Sequence, residues 1–288
     1  MLKFEYDQLH EEFLAGNQVE GIERLVVGLH EARGDVARFQ SATQELRNHA
    51  LFELVRKDPY TDHSFQRSRG YPGDAELIDM IYNTAPSRGF DDFFGMSLFD
   101  RTVACGACEA VRQRLKFARE MLTSAAAQNK SICSLAGGHC READGLTGQL
   151  NGRFTIVDQD PQSLTVVRNT CGDAVETIEA NVFNWLRTAP REGRRFDLVY
   201  SLGLTDYLDA RQLLVFTKLA AKIMAPGGRL LLANFHDHRW SAYMEAAMDW
   251  HLVYRTEADM AQNAQEAGLN HRLFRDPTGY IIYCEMWV

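Results

Sequence analysis

From Lys130 to the C-terminus, short apolar runs rich in β-branched residues alternate with helical segments, and this alternation restricts the possible folds more than any other feature. Helices are predicted between most of these runs, beginning near Arg141, Pro161, Asp209 and Thr256. Such alternation predicts a doubly wound α/β sheet that binds its ligands at the carboxyl ends of the strands. The predicted strands are SICSLA, RFTIVD, VETIEAN, RFDLVYS, GRLLLANF, HRLFR and YIIYCEMWV.

The N-terminal part of the chain has a different pattern. Residues 1–128 show helical periodicity with hardly a strand signal, and Pro59, Pro72-Gly73 and Pro86 divide them into short pieces. We therefore expect a helical N-terminal extension over residues 1–128 and an α/β domain over residues 129–288.

Composition excludes several other classes of protein. With 45% hydrophobic and 24% charged residues, the chain of 288 residues is not expected to be disordered. Its net charge of −8 disfavours a nucleic-acid partner. No apolar run reaches about 18 residues, so no membrane span is expected. The N-terminus lacks the apolar core of a signal peptide, which predicts a cytoplasmic location.

The loop after the first predicted strand contains Ala136-Gly137-Gly138. It lacks the third glycine of a dinucleotide-binding loop and the lysine of a phosphate-binding NTPase loop. Because glycines carry no side chain, a ligand could still approach the backbone closely here.

Polar residues end the next predicted strands. Asp158, 20 positions after Gly138, could accept hydrogen bonds from both hydroxyls of a ribose. It could instead cap the following helix, but Asp160, just before Pro161, is better placed for that role. Asn181 and Val182 at the end of the third strand suit the edge and face of an adenine.

Four segments in this order resemble the class I S-adenosylmethionine-dependent methyltransferases. SLAGGHCRE resembles the glycine motif of that family, and IVDQDP resembles its ribose-binding acid. FDLVYSLGLTDYL and LAAKIMAPGGRLLLANF resemble the fourth motif and the helix-turn-strand that follows it. Ala136 and His139 depart from the usual pattern of Gly and a small residue.

This resemblance implies a Rossmann-like seven-stranded sheet with an antiparallel final strand, and S-adenosylmethionine as cofactor. That ligand has no pyrophosphate, so neither the third glycine nor the lysine is required. The N-terminus of the helix after the loop would favour the carboxylate of the methionine tail. The implied cofactor-binding residues in the sheet domain are Ala136, Gly137, Gly138, Asp158, Gln159, Asn181, Val182, Ser201 and Leu202.

A narrower resemblance involves FQRSRGYPGDAELIDMIYN (65–83) and residues 234–260. These segments resemble a bacterial methyltransferase subgroup with an Arg-Gly-Tyr-x-Gly-Asp segment, some of whose members are described as hydroxy-fatty-acid methyl ester synthases. The resemblance implies a lid in which Tyr71 covers the sulfonium while Gly73 and Asp74 line the cofactor. A capped helix with a packed tyrosine is the alternative interpretation.

The methyl acceptor is expected to be a small or medium-sized molecule. Candidate acceptor-binding residues are Asn234, His236, Tyr243 and Arg255, and candidate proton acceptors are Tyr207, His236 and Asp237. A carboxylate acceptor would need no proton acceptor, whereas an amine or a hydroxyl would. His236 and His238 have no obvious third ligand, so no metal is expected.

The sequence alone leaves two rival functions open. The altered glycine loop would suit a protein that binds S-adenosylmethionine without catalysis. An NAD-dependent dehydrogenase is disfavoured by the absent third glycine. The sequence does not indicate an oligomeric state.

Cys105-Gly-Ala-Cys108 has the spacing of a redox motif, but its amphipathic context favours two buried packing residues.

Overall fold

The computed structural model describes residues 3–83, 85–86, 92–150 and 153–288. These residues form a seven-stranded sheet with the order β3-β2-β1-β4-β5-β7-β6. β1 to β5 pair in parallel, and β7 runs antiparallel to both β5 and β6. The predicted sheet with its antiparallel final strand is therefore confirmed. The strands are β1 Ile132–Leu135, β2 Phe154–Asp158, β3 Val175–Glu179, β4 Phe196–Ser201, β5 Met224–Phe235, β6 Asn270–Arg275 and β7 Ile281–Trp287.

The described residues also form fourteen α-helices. Within these ranges, no helix is both long enough and apolar enough to cross a membrane. The helices are α1 Lys3–Leu14, α2 Gln18–Ala32, α3 Val36–Asn48, α4 Ala50–Val55, α5 Pro59–Gln66, α6 Ala75–Asn83, α7 Phe93–Val103, α8 Gly106–Ala127, α9 Thr147–Leu150, α10 Pro161–Cys171, α11 Val182–Thr188, α12 Ala210–Ala221, α13 Ser241–Ala247 and α14 Glu257–Glu266.

Three of the four predicted helix starts are confirmed by their caps. Asp160 accepts from the Gln162 N–H ahead of α10, while Asp209 and Thr256 form capping boxes ahead of α12 and α14. The helix predicted to begin near Arg141 is wrong. A three-residue 3₁₀ turn, Arg141–Ala143, is followed by the four-residue α9. Gly145 and Gly148 make this segment a poor helix former.

The chain divides into two compact units. We call Met1–Val111 with Asp237–His251 the helical unit, and Arg112–His236 with Leu252–Val288 the sheet unit. This division differs from the boundary expected at residue 128. Residues 112–128 belong to the sheet unit, where the Phe117 ring lies 4.7 Å from that of Tyr283 on β7.

Residues 237–251 belong to the helical unit instead, although they follow β5 in sequence. The Arg47 Nε donates to the Ala246 carbonyl across 2.8 Å, and the Tyr243 hydroxyl pairs with Thr61 Oγ1. The helical unit is therefore built from two separate stretches of sequence.

Burial explains why the central strands are nearly continuous apolar runs. Every residue of β1 and β2 is buried, as expected of parallel strands covered on both faces. The outermost strand β6 alternates between exposed and half-buried residues over most of its length. The sheet therefore positions the loops at the carboxyl ends of β1, β2 and β4 on a buried, rigid base.

Candidate functional site

The loop after β1 has an unusual backbone. Ala136, Gly138 and Cys140 have φ values of +56°, +56° and +49°, all in the left-handed region that L side chains rarely adopt. A Cβ on Gly137 would lie 2.7 Å from Ile156 Cγ2 and 3.1 Å from Ser134 Oγ. Gly137 is therefore required by its close approach to β2, whereas Ala136 occupies a conformation that glycine would adopt with less strain.

Asp158 connects this loop with the end of β2. Its Oδ2 accepts from the Gly138 N–H at 2.8 Å, and its Oδ1 accepts from the Asp160 N–H at 2.9 Å. Burial raises the pKa of the Asp158 carboxyl, while the backbone N–H groups of Asp160 and Gly138 counteract part of that rise. Because Asp160 caps α10 itself, the alternative role of Asp158 as the helix cap does not apply. The remaining lone pairs of the carboxylate can accept hydrogen bonds from a ligand.

The residues predicted to surround an adenine lie at the ends of β2 and β3. The Asn181 side-chain oxygen caps α11 by accepting from the Phe183 and Asn184 N–H groups at 3.1 and 3.3 Å. Its amide nitrogen donates to Gln159 Oε1 at 3.3 Å. Asn181 and Gln159 are exposed, whereas Val182 is buried. The two polar residues are thus neighbours on the surface, as a shared ligand would require.

The strand order reverses between β1 and β4, which is where α/β sheets open a binding crevice. Ser201 Oγ donates to the Leu135 carbonyl across this boundary at 2.8 Å. The next residue, Leu202, accepts from Arg114 Nη1 at 2.6 Å. Ser201 is buried, so its hydroxyl joins the two strand ends.

Three buried ionisable residues lie near this crevice, and the sequence patterns did not identify them as candidate site residues. Arg114 on α8, Glu142 after the glycine loop and Asp206 after β4 are 8%, 8% and 3% exposed. Burial raises the pKa of both carboxyls, to about 7 for Asp206, and the charge of Arg114 opposes the rise in each case. The Tyr200 hydroxyl donates to Glu142 Oε1 at 2.8 Å. Arg114 fits the regular pattern of an amphipathic helix, so the sequence around it does not mark it as a functional residue.

Asn234 and Arg255 are brought together, but not as the sequence predicted. Arg255 donates to Asn234 Oδ1 at 2.6 Å, to the Thr205 carbonyl at 2.8 Å and to the Leu208 carbonyl. Asn234 Nδ2 donates to the carbonyls of Val253 and Phe235 at 2.8 and 3.0 Å. These internal contacts favour a role in fixing the loops after β4 and β5 over a role in contacting the acceptor.

The candidate proton acceptors differ in their surroundings. Tyr207, in the 3₁₀ turn Thr205–Tyr207, is 38% exposed, and His236 at the end of β5 is half-buried. Asp237 belongs to the helical unit, where it pairs with Arg33 at 2.5 Å and accepts from Ser241 Oγ at 2.6 Å. Burial raises the pKa of Asp237, but these partners lower it overall, so Asp237 is a weak base.

The remaining predicted residues also lie in the helical unit. Asp74 accepts from the Leu77 N–H at 2.8 Å and pairs with His63 Nε2 at 2.9 Å, as the cap of α6. Gly73 has a φ of +68°, consistent with the predicted turn. Tyr243 is fully buried, with its hydroxyl 2.8 Å from Thr61 Oγ1, which favours a packing role. The cofactor contacts of Tyr71, Gly73 and Asp74 stay a prediction from the sequence resemblance.

In the described part of the chain, no group of three or more His, Cys, Asp and Glu side chains could hold a metal ion.

The chain matches no protein-family model and no curated protein. Among solved structures, it is similar to a possible exported protein from Bordetella parapertussis, with a TM-score of 0.57, 17% identity and coverage of 94% of this chain and 96% of that one. It is also similar to magnesium protoporphyrin IX methyltransferase from Synechocystis PCC 6803, solved with bound S-adenosylhomocysteine. That match has a TM-score of 0.52, 12% identity and coverage of 80% of this chain and 98% of that one. Together with the strand order, these matches show that the chain has the class I methyltransferase fold.

Proposed function

We propose that this protein is an S-adenosylmethionine-dependent methyltransferase that acts on a small or medium-sized molecule. The observation that carries the proposal is the Asp158 carboxylate, buried at the end of β2 and hydrogen-bonded to the Gly138 N–H. This carboxylate would accept from ribose hydroxyls, and it lies beside a loop that has no room for a side chain at position 137.

The cofactor is assigned to the carboxyl ends of β1, β2, β3 and β4. Asp158 would accept from the ribose hydroxyls, while Gln159, Asn181 and Val182 would contact the adenine. Ala136, Gly137 and Gly138 would lie along the methionine tail, with Ser201 and Leu202 across the crevice. Only a three-residue 3₁₀ turn and the four-residue α9 follow the glycine loop. No long helix is therefore in place there whose dipole could attract the methionine carboxylate. The charge of Arg114, which donates to the Leu202 carbonyl, would supply the attraction instead.

The cofactor supplies an electrophilic methyl group on a sulfonium, and the protein aligns the acceptor atom with it. Displacement in line forms the bond to the acceptor as the bond to sulfur breaks. The protein needs no covalent intermediate, so alignment and exclusion of water supply most of the acceleration.

Among acceptors, we propose a carboxylate, which gives a methyl ester. The support is the subgroup resemblance and the ionised state of a carboxylate at neutral pH, which removes the need for a base. The alternative is a small amine or hydroxyl, for which Tyr207 or His236 would take the proton. We further propose that the protein has no nucleic-acid partner, because its net charge of −8 disfavours binding to a polyanion.

The test is transfer of a labelled methyl group from S-adenosylmethionine to medium-chain hydroxy fatty acids and, in parallel, to amines and phenols. An alkali-labile product that releases labelled methanol supports the ester. An alkali-stable product supports the alternative acceptor. Tight binding of the cofactor with no transfer to these acceptors or to a cell extract would instead support the non-catalytic binding protein.

A further inference from the structure

The segment Cys105-Gly106-Ala107-Cys108 lies at the start of the 22-residue helix α8. Cys105 immediately precedes the first helical residue, and its Sγ accepts from the Cys108 N–H at 3.5 Å. The two thiol side chains also form a hydrogen bond with each other. The two sulfurs are therefore neighbours at the start of α8, with the spacing of a CxxC redox motif.

The surroundings of the two thiols differ. Burial raises the pKa of the Cys105 thiol, but a hydrogen bond with the Cys108 side chain, the N–H groups of Cys108 and Ala107, and the charge of Arg101 lower it overall. The Cys108 Sγ lies 3.6 Å from both the Tyr60 hydroxyl and the Thr102 carbonyl. The pKa of the Cys105 thiol is thus lower than usual, and Cys108 is the adjacent thiol.

The other cysteines provide an internal comparison. Burial raises the pKa of the thiols of Cys133, Cys140, Cys171 and Cys284. Cys171 has the same exposed fraction as Cys105, 5%, but burial and the charges of Asp144 and Glu142 raise the pKa of its thiol. Thiolate character controls the rate at which a cysteine reacts with an oxidant.

We propose that Cys105 and Cys108 are a redox-active pair that closes to a disulfide when the protein meets a small peroxide. The Cys105 thiolate attacks one peroxide oxygen, so that an S–O bond forms and the O–O bond breaks. The leaving hydroxide takes up the proton that the Cys105 thiol released and becomes the first water. The Cys108 sulfur then attacks the Cys105 sulfur, the S–O bond breaks, and a second water forms. The two thiols lose two electrons and two protons in total, and hydrogen peroxide is reduced to two waters.

Burial limits which oxidants can act. Cys105 and Cys108 are 5% and 1% exposed, which favours hydrogen peroxide over a bulky disulfide such as oxidised glutathione. The inference does not depend on the proposed methyltransferase activity, because both cysteines and their partners belong to the helical unit.

The experiment treats the full chain with hydrogen peroxide, alkylates the remaining thiols and maps the peptides by mass spectrometry over time. We expect a Cys105–Cys108 disulfide, about 2 Da lighter than the dithiol and reversed by dithiothreitol, to form at least about tenfold faster than Cys171 is oxidised. Oxidation of Cys105 no faster than Cys171, or without a disulfide to Cys108, would overturn the proposal.

A variant locates the attacking sulfur. In Cys108→Ser, the peroxide product on Cys105 has no adjacent thiol, so a sulfenic acid that dimedone traps should accumulate at Cys105. Trapping at Cys171 instead, with Cys105 unmodified, would contradict the assignment. The time course of the unaltered protein decides the matter even if the variant fails to fold.

Discussion

The Gly138 N–H donates to Asp158 Oδ2 across 2.8 Å, although the two residues are 20 positions apart in the sequence. This hydrogen bond links the loop after β1 to the end of β2. The other carboxylate oxygen, Oδ1, accepts from the Asp160 N–H. The two hydrogen bonds together fix the orientation of the carboxylate. The proposed ribose acceptor is therefore held in place by the backbone before any ligand binds, which lowers the ordering cost of binding.

Gly137→Ala should destabilise the protein and weaken cofactor binding. The new Cβ would lie 2.7 Å from Ile156 Cγ2, so β2 or the loop must shift. Overpacking of this kind costs about 1–3 kcal/mol, which chemical denaturation can measure. Gly148→Ala is the matched control, because a Cβ there meets nothing within 4 Å. Equal stability of the two variants would show that the close contact at Gly137 is unimportant.

Ala136→Gly should behave in the opposite way. Ala136 has a φ of +56°, and a left-handed conformation costs a non-glycine residue about 1–2 kcal/mol. Glycine removes that strain but adds freedom to the unfolded chain, which offsets about 0.5–1 kcal/mol. We expect unchanged or slightly higher thermal stability and unchanged cofactor affinity. A clear loss of stability would mean that the Ala136 methyl group contributes more to packing than the strain costs.

The stability of the protein should depend on pH through Asp206. Burial raises the folded-state pKa of Asp206 to about 7, against about 3.9 in the unfolded chain. Between these values the folded state binds more protons, so this group lowers stability as pH rises through the window, with the full cost present above about pH 7. Asp206→Asn removes that titration and can still accept from the Phe235 N–H.

We expect the free energy of unfolding of Asp206→Asn, relative to the unaltered protein, to be higher at about pH 8 than at about pH 5 by an amount on the order of 1–3 kcal/mol. Denaturation with urea across this range measures the difference. Asp209→Asn, which retains an exposed helix cap, serves as the control. Parallel pH profiles for all three proteins would show that Asp206 does not titrate as described.

The pH dependence of methyl transfer should identify the acceptor group. A carboxylate has a pKa near 4, so its rate should stay nearly flat from about pH 6 to 9. An amine, or a hydroxyl that must lose its proton, should gain rate as pH rises. Initial rates should be measured in the unaltered protein and in Asp206→Asn. A pH dependence that comes from the acceptor group appears in both proteins, whereas one that comes from Asp206 is lost in the variant. A rising profile in both proteins would rule out the carboxylate.

The strands and most helix starts could be predicted because their signals are local. Asp160, Asp209 and Thr256 each precede a helix and cap it in the structure. The alternation of strands and helices predicts a helix after the glycine loop, although Gly145 and Gly148 argue against one. Local helix-breaking residues were here the better guide.

The chemistry of the site could be predicted only in part. Asp158 was found because its position follows from the spacing of two strands. Arg114 was not, since only the packing of α8 brings it to the Leu202 carbonyl. Asn234 and Arg255 have side chains typical of binding sites, but Arg255 Nη1 donates a hydrogen bond to Asn234 Oδ1 at 2.6 Å. Such long-range pairing is decided by tertiary structure and has no local signature.

The most direct test of the account is calorimetric titration of S-adenosylmethionine into the unaltered protein and into Asp158→Ala. A hydrogen bond to a charged group contributes about 1.5–3 kcal/mol, so the variant should bind roughly 10- to 150-fold more weakly. Asp160→Asn keeps the cap of α10 and removes a neighbouring charge, and it should bind within about twofold of the unaltered protein. Equal affinity in a folded Asp158→Ala protein, or no binding to the unaltered protein, would contradict the proposed cofactor site.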